Sequence, residues 1–421
     1  MPIKYYWFYL EPFVYISIKG NDLLLYNTLT GNFLTYMNSP RFVDFLFDLN
    51  RKENLYAIKV SREFLRDNGL KEFVDDIYKN FMGDLVDISL SYKKPFIMPP
   101  HFDIQDESNN RQHRTLKNVS NESLFSINEL TFFVNSRCDN KCFTCKNAFK
   151  QFLWCTRGKN DIELKLTEII DILEQIKGCP INNINIIGGD LNKYTHFNQL
   201  VDLLSSFSFN SNYYFHFSHL KNGLPDSIRA RGLNIKVILL VDFSTITFPI
   251  DFNYVNGLNP DAVVFLIQSE EEITILEGVI EEFKTRDISV QPYYNNQNIE
   301  FFKKNVFFDL EMLSERILKT GVIKARKSYN TLNYGKMYIS SNKKIYSDLN
   351  DTPLGRIGDI SMEKAVVSEL SEQGNWLRVR RDVIPCRDCL LNAICPPLSN
   401  IEKATGINNS CNIWKDHSII E

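Results

Sequence analysis

Six short apolar segments recur between residues 130 and 291, and they constrain the fold more than any other feature of the 421-residue sequence. They alternate with segments of helical periodicity, which is clearest at 161–177, 196–206 and 270–285. Strands that are apolar throughout and alternate with helices indicate a parallel sheet covered on both faces, and right-handed crossovers curl such a sheet. The pattern predicts an α/β fold with a partial (β/α)6 TIM-type barrel. The six segments are 130–135, 183–187, 213–217, 236–241, 262–267 and 288–291.

Three of the nine cysteines follow the first of these segments, as Cys138-Asp-Asn-Lys-Cys142-Phe-Thr-Cys145. They stand on a loop at the carboxyl end of a strand, where parallel barrels carry their chemistry. A zinc ion normally needs a fourth ligand at short range, and no His stands near enough in the sequence. On a [4Fe–4S] cluster, three thiolates bind three irons and leave the fourth iron open to a chelating ligand. The spacing therefore predicts that Cys138, Cys142 and Cys145 hold an open iron–sulfur cluster.

The CxxxCxxC spacing resembles that of radical S-adenosylmethionine (radical SAM) enzymes. Gly188-Gly189-Asp190, directly after the second strand, resembles the Gly-Gly-Glu motif with which that family binds the amino group of S-adenosylmethionine, with Asp in place of Glu. Thr144 stands where the family usually has an aromatic residue. The resemblance implies that S-adenosylmethionine binds to Gly188, Gly189 and Asp190, and Ser218, at the end of the third strand, is a further candidate for binding it. Further candidates at strand ends are His219, Asp242 and Gln268.

A second group of four cysteines lies near the end of the sequence, at Cys386, Cys389, Cys395 and Cys411. Four thiols within 26 residues, beginning with a CxxC, predict a closed metal site with four ligands. Spacing alone leaves open whether the site holds an iron–sulfur cluster or zinc. The stretch resembles the SPASM extension of radical SAM peptide maturases.

The SPASM resemblance implies an auxiliary [4Fe–4S] cluster on these four cysteines, and hence two [4Fe–4S] clusters in the chain. It also implies that a further auxiliary cluster is missing, because Ser347 and Ser399 stand where two of its cysteines are usual. The two remaining cysteines, Cys155 and Cys179, are interpreted as structural.

The N-terminal region predicts three strands, at 13–18, 22–26 and 32–36, and then helices at 39–50, 60–69 and 71–82. This order resembles the PqqD-like recognition element of enzymes that modify ribosomally made peptides. The resemblance implies that a leader peptide binds as an added strand at the sheet edge beside a helix. The alternative is an accessory winged-helix-like domain that packs on the enzyme.

The predicted domains are a recognition domain at 1–91, a linker at 92–127, a radical SAM partial barrel at 128–325 and a SPASM-like auxiliary domain at 326–421. The net charge of −3 excludes a strong electrostatic attraction to nucleic acid. The sequence has no membrane-spanning apolar run and no secretory signal, so we expect a cytoplasmic protein with reduced thiols.

Taken together, the resemblances imply a radical SAM oxidoreductase that modifies a ribosomally made precursor peptide (a RiPP maturase). A donor such as flavodoxin or ferredoxin would supply the electron, and a 5′-deoxyadenosyl radical would take a hydrogen atom from the peptide. The product would be a crosslink such as a thioether or a carbon–carbon bond, and the sequence does not determine which. Two alternatives remain: a catalytically inactive scaffold that serves another maturase, and a zinc-bearing peptide-binding module without iron.

Overall fold

The structure is a computed structural model that describes residues 4–90, 93–95, 98, 123–221, 223–229, 234–243, 252–283, 285, 287–371 and 374–413. Most of the predicted linker at 92–127 lies outside these residues. The described part contains two small sheets near the N-terminus and one sheet of nine strands. None of its helices has the length and apolarity that crossing a bilayer demands.

The N-terminal region is built from two three-stranded sheets and three helices. The predicted meander of three antiparallel strands and the three helices after it are confirmed. The sequence analysis missed the second sheet, in which β1 pairs antiparallel with both β5 and β6. The elements are β1 (Tyr5–Leu10), β2 (Val14–Lys19), β3 (Asp22–Asn27), β4 (Phe33–Tyr36), α1 (Pro40–Leu49), β5 (Ala57–Ser61), α2 (Arg62–Asp67), α3 (Lys71–Lys79) and β6 (Gly83–Asp87).

Strand β3 lies between two hydrophobic cores because alternate side chains of a strand point to opposite faces. Leu23 and Leu25 pack into the core formed with α1 and α3. Leu24 and Tyr26 pack on the other side, against residues from the second half of the chain. The Tyr26 hydroxyl donates to the carbonyl of Arg316 at 3.0 Å and accepts from the backbone N–H of Leu318 at 2.7 Å. The N-terminal sheet is therefore docked on the C-terminal half.

The large sheet begins with six parallel strands that stand side by side in sequence order, as predicted. We number them β7 (Glu129–Phe133), β8 (Asn183–Ile187), β9 (Asn210–His216), β10 (Ile235–Asp242), β11 (Ala262–Ile267) and β12 (Ile288–Pro292). The helices between them are α4 (Ala148–Gln151), α5 (Leu166–Gln175), α6 (Phe197–Ser205), α7 (Asp226–Arg229), α8 (Phe252–Leu258) and α9 (Glu270–Val279). The mixed α/β architecture is thus confirmed, and the curling of the sheet into a partial barrel stays a prediction.

The two faces of this sheet bury different partners. On one face, residues such as Leu239 and Val241 of β10 join the large core that includes α5, α6 and α9. On the other face, which we call the inner face, Leu240 packs with Trp154 and Tyr293. Because Trp154 belongs to the connection between β7 and α5, that connection covers the inner face beside the three N-terminal cysteines.

The C-terminal region continues the large sheet. Strand β13 (Lys336–Ile339) pairs parallel with β7, and β14 (Lys344–Tyr346) and β15 (Gly355–Arg356) follow antiparallel, so that β13 and β14 form a hairpin. The sequence analysis did not predict the helices of this half. They are α10 (Ile299–Asn305), α11 (Leu310–Ser314), α12 (Thr320–Ser328), α13 (Met362–Ser371) and α14 (Asn400–Thr405). The predicted domain boundaries stay predictions.

Candidate functional site

The three N-terminal cysteines lie on the loop between β7 and α4, which we call the cysteine loop (residues 135–147). The loop is fixed to the end of β8 by two backbone hydrogen bonds. The N–H of Gly189 donates to the carbonyl of Asn135 at 3.0 Å, and that of Asp190 donates to the carbonyl of Arg137 at 2.6 Å. The loop and the end of β8 therefore form one unit, as predicted for neighbouring parallel strands.

Gly188 and Gly189 have no room for a side chain. A Cβ atom at Gly188 would lie 2.7 Å from the carbonyl oxygen of Asn135, and one at Gly189 would lie 2.1 Å from that of Arg137. The sequence analysis expected the glycines to allow close approach of a ligand. The close approach that the structure shows is that of the backbone leading into the cysteine loop, so these glycines set the position of the thiols.

The three thiols of the cysteine loop are partly exposed and reduced. Cys142 and Cys145 share a hydrogen bond, which lowers the pKa of Cys145 to about 7 and raises the pKa of Cys142. Burial raises the pKa of the Cys138 thiol. Cys155 is buried on the inner face, as predicted, whereas Cys179 is only partly buried.

Asp190 lies beside the first cysteine. Its side chain is 13% exposed and accepts from the backbone N–H of Asn192 at 3.0 Å. His219 bridges the carboxylate and the thiol: its Nδ1 lies 4.0 Å from Asp190 Oδ1, and its Nε2 lies 3.2 Å from Cys138 Sγ. His219, one of the further candidates, therefore belongs to this site. Burial lowers the pKa of its imidazole.

Ser218 joins the cysteine loop through Asn140, a residue that the sequence analysis did not single out. The Asn140 side-chain amide donates to the Ser218 hydroxyl, and that hydroxyl lies 2.6 Å from Nδ1 of His216. Gln268, the last candidate, forms hydrogen bonds with Asn295 and Asn298 instead.

Thr144 and Asp242 form a buried pair that links the cysteine loop to the end of β10. The Thr144 hydroxyl donates to Asp242 Oδ2 at 2.8 Å, and neither residue is exposed. Asp242 was a candidate by its place at a strand end, but its partner stands 98 residues away, beyond the reach of any local pattern. At position 144, where radical SAM enzymes usually have an aromatic residue, this chain therefore has a hydroxyl group that is already hydrogen-bonded within the protein.

The four C-terminal thiols lie close enough to influence one another electrostatically. Burial raises the pKa of Cys386 and Cys395, and it raises that of Cys389 to about 11. The backbone N–H of Leu391 donates to Cys389 Sγ at 3.4 Å. Cys411 is held through a backbone bridge to Phe308. The structure therefore brings together the four cysteines that the sequence grouped.

A buried ion pair supports this C-terminal group. Arg380 Nη1 donates to Glu402 Oε1 at 2.9 Å and to Cys386 Sγ at 3.5 Å, and the two charged side chains are 4% and 3% exposed. Glu402 also accepts from the backbone N–H groups of Ser399 at 2.7 Å and Ser410 at 3.2 Å. One carboxylate thus holds the start of α14, the residue before Cys411 and a cation beside the thiols.

The two serines at the positions of the missing cluster are used in hydrogen bonds. Ser347 donates to Glu369 at 2.6 Å, and both side chains are buried. Ser399 caps α14 through Glu402. Both serines thus form hydrogen bonds with carboxylates of the protein itself.

The two sets of cysteines differ from a site for a single metal ion. Within the described ranges, no three Cys, His, Asp or Glu side chains converge closely enough to hold a single ion. A [4Fe–4S] cluster sets a different requirement, because each thiolate binds a separate iron. Sets of three and four thiols are the donor chemistry of such clusters. The thiol sets fit the predicted groups.

An open groove of about 760 Å³ lies at the carboxyl end of β11. Its lining includes three amide side chains, those of Gln268, Asn298 and Asn412. Five further lining residues are charged, and four of them form ion pairs, Lys304 with Glu270 at 2.7 Å and Lys303 with Glu300 at 2.5 Å. Amide side chains suit hydrogen bonds to a peptide backbone, since each amide both donates and accepts.

The N-terminal meander presents β4 at its edge, beside α1 and α3. Tyr36 of β4 contacts the rings of Phe42 and Phe73, and its hydroxyl donates to Asp76 of α3 at 3.1 Å. Among the described residues, β4 pairs with β3 alone. This geometry matches the edge beside a helix that a bound peptide strand would need.

No protein-family model matches the sequence, and no curated protein matches it. Solved structures to which the chain is similar include Streptococcus suis SuiB bound to precursor peptide SuiA, with 15% identity, 96% of this chain and 100% of that chain covered, and a TM-score of 0.47. Another is anSMEcpe with bound AdoMet, with 13% identity, 64% and 84% covered, and a TM-score of 0.39. A third is BtrN with AdoMet and 2-DOIA, with 11% identity, 62% and 92% covered, and a TM-score of 0.31. Likeness at this level does not identify an activity.

Proposed function

We propose that the chain is a radical SAM enzyme that modifies a ribosomally made precursor peptide. The observation that carries the proposal is the joining of the CxxxCxxC loop to Gly-Gly-Asp at the carboxyl ends of two adjacent parallel strands. Three thiols on this loop match an iron–sulfur cluster with an open iron, and a carboxylate beside them matches a ligand with an ammonium group.

The residues of the site have separate tasks in this proposal. Cys138, Cys142 and Cys145 hold the cluster, and Asp190 binds the amino group of S-adenosylmethionine. When bound, the cluster and S-adenosylmethionine would supply the radical chemistry that removes a hydrogen atom from the peptide. Trp154 and its apolar neighbours on the inner face exclude water from the space beside the thiols.

The closed C-terminal site holds a second [4Fe–4S] cluster in this proposal. Arg380 lies against Cys386, and a buried cation offsets the charge of thiolates that burial alone would protonate. A donor such as flavodoxin or ferredoxin would supply electrons to the enzyme. A thioether or carbon–carbon crosslink is the proposed product, and the proposed site of action is the cytoplasm.

The peptide has two proposed contact surfaces. Its leader adds to the open edge of β4, and its modified part lies in the polar groove at the end of β11. Two linked contacts raise the local concentration of the reacting residue without a tight contact at either surface.

Anaerobic reconstitution with iron and sulfide tests the proposal. With dithionite and S-adenosylmethionine, we expect 5′-deoxyadenosine, and we expect about eight irons per chain. Cys142→Ala should abolish the product, whereas Cys179→Ala, which changes a thiol outside both groups, should not. Zinc at the C-terminal site would contradict the second cluster, and a chain loaded with iron that yields no 5′-deoxyadenosine would contradict the activity.

The inactive scaffold is the second candidate, and Thr144 favours it. This buried hydroxyl is bound to Asp242, so no aromatic ring is presented at that position. Binding of S-adenosylmethionine without cleavage in the same assay would support the scaffold.

A further inference from the structure

Two fully buried N–H donors lie on the inner face without an acceptor. His216 is 1% exposed and Trp154 is fully buried, and neither His216 Nε2 nor Trp154 Nε1 has a hydrogen-bond partner among the described residues. Buried polar atoms are nearly always paired, so each exception calls for an explanation such as a missing ligand.

The hydrogen bonds of His216 show which of its nitrogens carries the proton. The backbone N–H of Ser218 donates to Nδ1 at 3.3 Å, and a backbone N–H can only donate. Burial lowers the pKa of the imidazole to about 3, so the ring is neutral at neutral pH. Its single proton is therefore on Nε2, which makes that atom a donor, like the indole N–H of Trp154.

Both donors lie beside the proposed cofactor site. The rings of His216 and Trp154 are 6.1 Å apart, and those of His216 and His219 are 5.4 Å apart. His219 in turn contacts Cys138 and Asp190. His219 thus links His216 to the thiol and the carboxylate of the proposed cofactor site.

A third unpartnered group, on the opposite face of the sheet, provides a control for this explanation. The Tyr213 hydroxyl is also buried without a partner, on the same strand as His216, but it lies on the opposite face against Phe197. A ligand on the inner face cannot reach it. Tyr213 is therefore a matched control.

We propose that His216 and Trp154 donate their N–H groups to oxygen atoms of the nucleoside ligand bound over the cysteine loop. The acceptors are the hydroxyl or carboxylate oxygens of S-adenosylmethionine. The inference rests on the proposed function, and it makes both side chains positioning residues for the cofactor.

The test measures binding of S-adenosylhomocysteine, which carries the same oxygens, to the reconstituted chain by calorimetry, together with the thermal stability of the chain. His216→Phe and Trp154→Phe should each weaken binding about tenfold, because each removes one buried hydrogen bond to the ligand. The melting temperature of the ligand-free chain should fall in both variants, because His216→Phe removes the acceptor of the Ser218 N–H and Trp154→Phe leaves a cavity in the core. Cooperative unfolding of each variant shows that it is folded, so that a loss of affinity reports on the ligand contact. His216→Gln, which restores a donor, should recover part of the affinity.

Tyr213→Phe should leave the affinity unchanged. If both inner-face variants bind as tightly as the wild type, or if Tyr213→Phe weakens binding equally, the inference is overturned. Failure of the wild type itself to bind would overturn the proposed function instead.

Discussion

Replacing Glu402 by Gln tests how the C-terminal site is held together. The carboxylate is 3% exposed and accepts three hydrogen bonds at 3.2 Å or less, from Arg380, Ser399 and Ser410. A Gln side chain keeps one acceptor oxygen, but it places an NH2 group against a donor and removes the charge that offsets Arg380. The substitution therefore leaves a buried cation without its partner.

The expected cost is about 3–5 kcal/mol, the usual penalty for breaking a buried ion pair from one side. Hydrogen exchange followed by mass spectrometry measures this cost locally, in residues 399–411. Amides in that segment should exchange about two to three and a half powers of ten faster. The iron content at the C-terminal cysteines should fall, because Ser410 precedes Cys411.

Two variants complete the design. Glu277→Gln, at an exposed position on α9, should change nothing. The double variant Arg380→Met with Glu402→Leu should recover much of the lost stability, because it removes both buried charges. If Glu402→Gln accelerates exchange by less than about tenfold, which is about 1.4 kcal/mol, the carboxylate does not hold the site as described.

Gly189→Ala should lower the free energy of unfolding by about 1–3 kcal/mol in urea denaturation, because the added methyl group would clash with the backbone at Arg137, and it should prevent iron loading of the cysteine loop. The control Gly257→Ala, with open space around it, should be neutral or stabilising. Burial raises the pKa of Glu369 above its ordinary value of 4.5, so its contribution to stability is full below that pH and falls as the pH rises through the raised pKa. Relative to a Glu369→Gln variant, the wild type should lose stability across that window, and a constant difference would contradict the prediction. Tyr26→Phe should lower the free energy of unfolding by about 1–3 kcal/mol, because it removes the two hydrogen bonds between the N-terminal sheet and the C-terminal half. The control Tyr78→Phe, at an exposed position, should leave the urea midpoint unchanged.

The strands of the large sheet were predictable because a strand that is buried on both faces has an apolar residue at nearly every position. The run at 262–267 is one example, and it matches β11 residue for residue. The second N-terminal sheet was missed because β6 has the sequence Gly-Asp-Leu-Val-Asp, with no alternation, and the last two residues of β5 were predicted as the start of the helix at 60–69. Pairing of β1 with both strands is non-local and leaves no local pattern.

The thiols and Asp190 were predictable from spacing, whereas their supporting contacts were not. Thr144 meets Asp242 across 98 residues, and Cys138 meets His219 across 81 residues. Such pairs depend on which strand ends become neighbours in the sheet. The roles of Arg380 and Glu402 were likewise invisible, since charged residues are mostly exposed and sequence alone does not mark the few that are buried.

The pairing of β13 with β7 sets an order for events on the ribosome. The first strand of the parallel sheet acquires its second neighbour only when the segment around Lys336 has been synthesised, because Lys336 pairs with Glu129. Until then a strand edge next to the cysteine loop stays open, and open edges invite aggregation. Chains truncated before the β13–β14 hairpin would therefore misfold or aggregate, even if the C-terminal thiols had no role in activity. The contribution of those thiols to activity is therefore measurable only with point substitutions in the full-length protein.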